Sequence, residues 1–243
     1  MKKYVLVTGV KGGIGMMIAK TFRDNNYIVI GTDIIDECCN YCDQYINFDL
    51  NKYCCSISYR KKINKLFNSV IPRLDVLINN AAVQKLSSLE NIKLTDWTES
   101  LNVNLTAPML LSQFFLKHLK KNKGSIINIA SIHHNLTKKE FISYATTKGA
   151  LVTLTKCMSV DLEGKVRVNS ISPAAIDTAM LREGFANNYN KVSRLNKLHP
   201  IQRIGKPDEI AKLALLLTKD ETGFINGANI NIDGGISNVL KDL

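Results

Sequence analysis

No apolar run in this chain reaches the ~18 residues that a membrane-spanning helix requires, so a helical membrane protein is excluded. The opening MKKYVLVTG has lysines before an apolar run, as an export signal would, but Thr8-Gly9 cuts the run short. It reads as a strand, and a cytoplasmic location is the expectation. Aromatic residues make up only 7% of the chain, with a single tryptophan, and none are interleaved with basic residues as a base-stacking platform would need. The formal charge of +11 is therefore not read as a nucleic-acid surface. Its lysines are scattered, apart from Lys117, Lys120, Lys121 and Lys123 at one helix end. Regular metal-ligand spacing is also missing. Cys38, Cys39 and Cys42 are separated from Cys54 and Cys55 by Asp49 and the strand-like YINFD, and Cys157 stands alone. These six are expected to be ordinary reduced thiols, with no metal.

What is present is an alternation. A hydrophobic content of 45% and a charged content of 22% over 243 residues suit one larger α/β domain. KYVLVT at 3–8 is an apolar, β-branched run, as a parallel strand buried on both faces should be. Gly9, Gly12, Gly13 and Gly15 follow at once, with Lys11 and Ile14 among them, and then a helical pattern through Ile18, Ala19 and Phe22. Strand, glycine turn and helix is the setting in which backbone can close on a pyrophosphate at a helix N-terminus. YIVIGTD ends in Asp33, where a carboxylate can bond ribose hydroxyls.

YINFDL is read as the third strand, with Asp49 at its carboxyl end. A helix from Tyr59 to Ile71 ends at Pro72, and LDVLIN follows, closed by Asn79-Asn80-Ala81-Ala82. A long helix is predicted over 96–121, kinked at Pro108. GSIINIAS, a helix over 143–162, VRVNSIS, a helix from Pro207 and ANINIDGG complete the alternation. Such alternation implies a parallel sheet covered on both faces. The stretch 178–206 lacks periodicity and holds Met180, Phe185, Tyr189, Lys191 and His199, so a mobile substrate lid with short helices is expected there.

Tyr144-x-x-x-Lys148 stands one helical turn apart on one face, thirteen residues after Ser131. A cation that close favours an ionised phenol, which predicts a lowered Tyr144 pKa and a base usable at neutral pH.

Taken in order, Thr8-Gly9-x-x-x-Gly13-Ile14-Gly15, Asp33, Asp49-Leu50, Asn79-Asn80-Ala81-Ala82, Asn104 in NVNL, Ser131, Tyr144-x-x-x-Lys148, Pro173 with Ile176 and Thr178, and Asp233-Gly234-Gly235 resemble the short-chain dehydrogenase/reductase family. Two small-for-small departures are Ala82, where the family usually has glycine, and Ala174 after Pro173. The resemblance implies a single domain over 1–243, a Rossmann-type doubly wound parallel sheet of about seven strands in order 3-2-1-4-5-6-7. A dinucleotide-binding part would occupy roughly 1–130 and a catalytic and lid part roughly 131–243.

It also implies site residues. Tyr144 would exchange the proton with the substrate oxygen, Lys148 would lower its pKa and bind the nicotinamide ribose, and Ser131 would hold the carbonyl or alcohol. Asn104 would bend its helix and hold a water in a proton relay. Gly9, Lys11, Gly13, Ile14, Gly15, Asp33, Asp49, Leu50, Asn80, Ala81, Ala82, Pro173, Ile176 and Thr178 would line the cofactor. Because Asp33 would repel an extra phosphate, NAD is expected as the cofactor and NADP less so.

Gln84 and His133 occupy positions that flank the substrate in this family, and resemble residues with which 3-hydroxybutyrate dehydrogenases hold a carboxylate, although Phe141 replaces the lysine of those enzymes. A hydroxy acid, a sugar or polyol, and a 3-oxoacyl group on a carrier protein (with NADPH) stay open as substrates. A non-catalytic dinucleotide sensor is the competing class, and it would be expected to lack Tyr144 or Lys148. A homotetramer or homodimer is the implied assembly.

Overall fold

The computed structural model describes residues 2–184 and 189–240; Phe185 therefore lies outside the description, as do the side chains of Met180 and of residues 183–192, Tyr189 and Lys191 among them. The strands are β1 (Tyr4–Thr8), β2 (Ile28–Asp33), β3 (Gln44–Asn47), β4 (Val76–Asn79), β5 (Ser125–Ile129), β6 (Arg167–Pro173) and β7 (Asn229–Ile232). All neighbours pair parallel in the order β3-β2-β1-β4-β5-β6-β7, the expected sheet. The order reverses between β1 and β4, which opens a crevice at the carboxyl ends of those two strands.

Alternate side chains of each strand feed opposite cores. Val5 and Val7 of β1 and Ile127 of β5 join Ile18 and Phe22 of α1 (Gly13–Asp24) and Ile210 and Ala214 of α9 (Pro207–Leu217). Leu6 and Ile126 turn the other way, toward Phe67 of α3 (Ile57–Val70) and Phe115 of α5 (Ala107–Lys121). There Phe67 meets the Phe48 and Phe115 rings at centroid distances of 5.4 and 5.2 Å. Each such side chain removed from water stabilises the fold by about 1.5–3 kcal/mol.

Two local expectations are corrected. The third strand ends at Asn47, and Asp49 caps an additional short helix, α2 (Leu50–Cys55), its carboxylate accepting the Asn51 and Lys52 N–H groups. Asp49-Leu50 is thus a helix start rather than a strand end. The long helix predicted over 96–121 is α4 (Leu94–Leu101), a π-helical turn at Asn102–Thr106, and then α5. Pro108 is the second residue of α5, directly after the π turn, which closes with the Ala107 N–H on the Asn102 carbonyl. The irregularity of this rod is the π turn directly before the proline.

Within the predicted lid, α7 (Ala179–Gly184) and α8 (Tyr189–Leu198) are the short helices. Among the described residues no group of His, Cys, Asp or Glu could hold a metal ion, and no helix is long and apolar enough to cross a membrane.

Candidate active site

The crevice is built first from backbone. Gly9 has φ +71°, and a Cβ on it would lie 2.8 Å from the Ala81 Cα. A Cβ on Gly15 would collide with the Gly9 carbonyl oxygen. A Cβ on Gly13 would come within 3.0 Å of Thr178 Cγ2, so the glycine turn and the segment after β6 face each other closely.

Asn80 locks the turn to β4: its Nδ2 donates to the Thr8 carbonyl at 2.8 Å and to that of Gly9 at 3.1 Å. The Thr8 hydroxyl accepts the N–H groups of Asn80 and Ala81, each at 3.0 Å. Thr8 was not among the predicted site residues; its place directly before the glycine turn was the available signal. Ala82, Leu50 and Ile14 are partly buried, Leu50 against the Phe48 and Phe67 core and Ile14 against the Val5 and Ile18 core, and Ile176 bridges to Gly205 just beyond Pro173. These glycines leave room for backbone to approach a pyrophosphate at the N-terminus of α1, so a nicotinamide dinucleotide fits the cradle.

Asp33 ends β2 beside this turn. Its Oδ2 accepts the Lys11 N–H at 2.9 Å, and its Oδ1 accepts those of Ile34 at 2.8 Å and Ile35 at 3.3 Å. The Lys11 ammonium pairs with Glu37 at 2.7 Å, which holds the lysine pKa above its ordinary value.

The candidate catalytic residues hang on α6 (Ile142–Asp161) and on the end of β5. A buried polar ladder ties them together: Asn79 Nδ2 donates to Asn128 Oδ1 at 2.8 Å, and Asn128 Nδ2 donates to Thr155 Oγ1 of α6 at 2.9 Å. Ser131 is buried, its Oγ accepts the His133 N–H at 3.2 Å, and its hydroxyl is near enough to the Tyr144 phenol to favour the ionised form. Lys148 is 2% exposed; its Nζ donates to the Ile129 carbonyl at 2.7 Å and lies 5.6 Å from the centroid of the Tyr144 ring. Asn104, in the π turn, takes the Val83 N–H at 2.9 Å on Oδ1 and donates from Nδ2 to the Val83 carbonyl at 2.9 Å and to Thr147 Oγ1 at 3.1 Å. Its amide thereby braces the segment after β4 against α6; Val83 and Thr147 are the partners that sequence reading missed.

The electrostatics differ from the expectation. Burial pushes the Tyr144 phenol up to about 12, opposed only by the Ser131 hydrogen bond, and burial brings Lys148 down to about 7. Spacing alone predicted a cation lowering the phenol. In the structure the loss of water around both groups outweighs their proximity.

Gln84 is exposed. His133 instead leans into the centre, its ring 6.0 Å from the Tyr144 ring and 4.6 Å from that of Phe141. An open cavity of about 850 Å³ adjoins it, lined by His133, Leu136, Thr137 and the outward side of α6, with neither Ser131 nor Tyr144 in its wall.

The comparisons with known proteins agree with this geometry. The family described as "Enoyl-(Acyl carrier protein) reductase" matches residues 9–237. A 3-oxoacyl-[acyl-carrier-protein] reductase of Thermotoga maritima is 29% identical over 96% of this chain and 97% of its own length. A meso-2,3-butanediol dehydrogenase of Serratia marcescens is 31% identical over 96% and 94%. Among solved structures, the ligand-free aldohexose dehydrogenase of Thermoplasma acidophilum superposes with a TM-score of 0.91 at 30% identity, covering 100% of this chain and 96% of that one. ElxO with NADP bound gives a TM-score of 0.86 at 30% identity, over 98% and 100%. A 4-hydroxyisoleucine dehydrogenase with NADH gives 0.88 at 28% identity, over 98% and 100%.

These structures correct the cofactor expectation: with one relative holding NADP and another NADH at similar distance, NADP ranks no lower than NAD. The physical reason lies at Asp33, whose carboxylate is already occupied by three backbone N–H groups. The Lys11–Glu37 pair beside it involves an exposed glutamate and is screened by solvent, so it opposes re-pairing only weakly. Sheet order, glycine cradle, the Ser131–Tyr144–Lys148 cluster and the family match lead to one assignment: this chain belongs to the short-chain dehydrogenase/reductase family and is an NAD(P)-linked oxidoreductase acting on CH–OH and ketone groups.

Proposed function

We propose that the chain interconverts a small secondary alcohol and its ketone, with Tyr144 as general acid and base. The observation that carries this reading is the cluster of buried Ser131, the Tyr144 ring and buried Lys148, whose Nζ lies 5.6 Å from the ring centroid. A bound nicotinamide dinucleotide supplies or accepts the hydride. Everything else falls to the chain's own residues. The Ser131 hydroxyl donates to the substrate oxygen and fixes it beside the phenol. With its pKa pushed up to about 12, Tyr144 stands protonated at neutral pH, the form that gives a proton to a ketone oxygen. Lys148, brought down to about 7 by burial, changes protonation near neutral pH beside that phenol and can share in the exchange of its proton. Asn104, its amide committed to Val83 and Thr147, acts by positioning.

Gly9, Gly13 and Gly15 give the pyrophosphate its approach, Asp33 and Lys11 flank the adenosine ribose, and Asn80, Ala81, Ala82, Ile176 and Thr178 close around the cofactor. The butanediol and aldohexose dehydrogenases among the relatives support a small hydroxylated substrate. The Thermotoga maritima relative supports a second reading, reduction of a 3-oxoacyl group on a carrier protein. Exposed Leu94, Met109 and Val160 on α4, α5 and α6 offer apolar surface that a second copy of the chain would cover, in a homodimer or homotetramer.

The test is Tyr144→Phe. Turnover of any accepted alcohol should fall about 10³-fold, while NADH or NADPH binding, followed by fluorescence, holds within about twofold. Turnover that survives this change rejects the mechanism.

A further inference from the structure

Cys39 and Cys42 are a pair of thiols that the reaction does not use. The Cys42 N–H donates to the Cys39 carbonyl at 3.0 Å, closing a turn through Asn40 and Tyr41. Such a turn keeps its first and fourth Cα atoms within about 7 Å, and bridged cysteines usually stand about 4.4–6.8 Å apart at Cα. Both side chains enter one apolar cluster, Cys39 as a buried member and Cys42 packed half-buried against it. Burial pushes the Cys42 thiol up, and the neighbouring Cys39 thiol pushes it further. Cys38 is exposed, and its Sγ lies 3.6 Å from the Cys39 carbonyl oxygen. Among the described residues no group of cysteines could hold a metal ion, so the chemistry open to the pair is with itself.

The same segment touches the nucleotide cradle at two points. The Cys42 sulfur lies over Gly31 of β2: a Cβ there would come within 2.2 Å of that sulfur and 2.9 Å of Val10 Cγ2. Val10 stands between Gly9 and Lys11 in the glycine turn. Glu37, two residues before Cys39, holds the Lys11 ammonium at 2.7 Å. The turn is also strapped to its neighbours. Arg23 Nη1 donates to the Asn40 carbonyl at 2.6 Å, and Asp43 Oδ2 accepts the Val29 N–H at 2.8 Å. With the backbone tied on both sides, a bridge forms by drawing the sulfurs together, and that takes the Cys42 sulfur off Gly31 and Val10.

We propose that Cys39 and Cys42 are a redox modification site: a low-molecular-weight disulfide converts them into an intramolecular bridge, and the bridge weakens dinucleotide binding at the glycine turn above it. The half-buried Cys42 reacts first. Its thiolate attacks the small disulfide, forming a mixed disulfide and releasing one small thiolate. The Cys39 thiolate then attacks the Cys42 sulfur and releases the second. Two protein thiols lose two electrons and two protons, and one small disulfide becomes two small thiols. The effect on binding rests on the nucleotide reading of the cradle; formation of the bridge does not. By linkage, a bound dinucleotide holds the pair reduced by the same factor.

The experiment treats the full chain with oxidised glutathione, blocks the remaining thiols, maps the peptide holding Cys38, Cys39 and Cys42 by mass, and titrates NADH and NADPH by fluorescence. The peptide should lose two hydrogens, with Cys38 alone blocked. The Kd of the dinucleotide should rise by about fivefold, the scale of a modest local displacement, and return on reduction. Cys38→Ser should respond like the parent. Cys42→Ala should bind as the reduced parent does and lose the response. No bridge in this peptide, a bridge through Cys38, a Kd that the bridge leaves unchanged, or a loss of binding that reduction does not reverse overturns the proposal, whether or not Cys42→Ala folds. So does a response that survives in Cys42→Ala. A bridged peptide in a parent that binds neither dinucleotide overturns the nucleotide reading and, with it, the proposed effect.

Discussion

The two sides of the cleft treat their polar atoms in opposite ways. On the nucleotide side nearly every one is spent inside the protein: Asp33 on three backbone N–H groups, Thr8 on Asn80 and Ala81, Asn80 on Thr8 and Gly9. On the reaction side the groups are buried or half-buried but not used up. Tyr144 and Lys148 hold shifted pKa values, and His133 keeps a nitrogen open. A cofactor that every turnover reuses is met by a rigid surface whose shape does the recognising. A substrate that must exchange a proton is met by groups whose pKa values burial has moved.

Substitutions on either side break this contrast to different degrees. Gly15→Ala should be the most damaging, because its methyl group meets the Gly9 carbonyl and the Asn80 amide. A loss of about 3 kcal/mol of stability is expected from denaturant unfolding, together with loss of dinucleotide binding. Normal binding would mean that the cradle is softer than its contacts imply.

Lys148→Met tests the other side. The lysine's folded pKa lies below its ordinary 10.5, at about 7, so the folded chain sheds this proton first. The cost of the buried ammonium is full below about pH 7 and fades as the pH climbs toward the ordinary value. The parent should therefore gain on Lys148→Met by about 3 kcal/mol between about pH 6.5 and about pH 9.5. Unfolding curves that stay a fixed distance apart would place that lysine in water.

Asp33→Ala should weaken NADH and NADPH binding together, by about tenfold, since three N–H groups lose their acceptor. A gain for NADPH alone, read by titration, would make Asp33 a selector and not a brace. Smallest is Asp49→Ala, which removes the α2 cap at about 1 kcal/mol. It should leave KM for the dinucleotide unchanged, whereas a raised KM would return Asp49 to the cofactor.

The same contrast explains what the sequence made legible. Parallel strands buried on both faces write themselves as apolar runs, and the glycine turn is visible because only glycine satisfies its contacts. The parallel sheet and the cradle could therefore be anticipated, while the order of the strands rested on the family resemblance. The short helix α2 could not, since among its six residues only Tyr53 is buried and no period forms. Tyr144 and Lys148 were legible as neighbours, yet spacing carries no record of how much water surrounds them, and the predicted direction of the phenol's shift was wrong. The tautomer of His133 depends on the carbonyl of Leu136, 3.0 Å from its Nδ1 and a backbone atom identical in every residue type, so no reading of side chains could have found it.

The π turn at Asn102–Thr106 holds one residue more than an α-helix needs for the same advance. That surplus residue works as an angular offset. Removing one residue there would let α4 and α5 run on as a regular helix, with more uniform hydrogen bonding than the natural chain has. It would also turn everything beyond it by about 100° and carry either Asn104 away from Val83 or the buried face of α5 away from the sheet. The irregular turn is what lets one helical rod present a clamp to the active site along one bearing and an apolar face to the core along another.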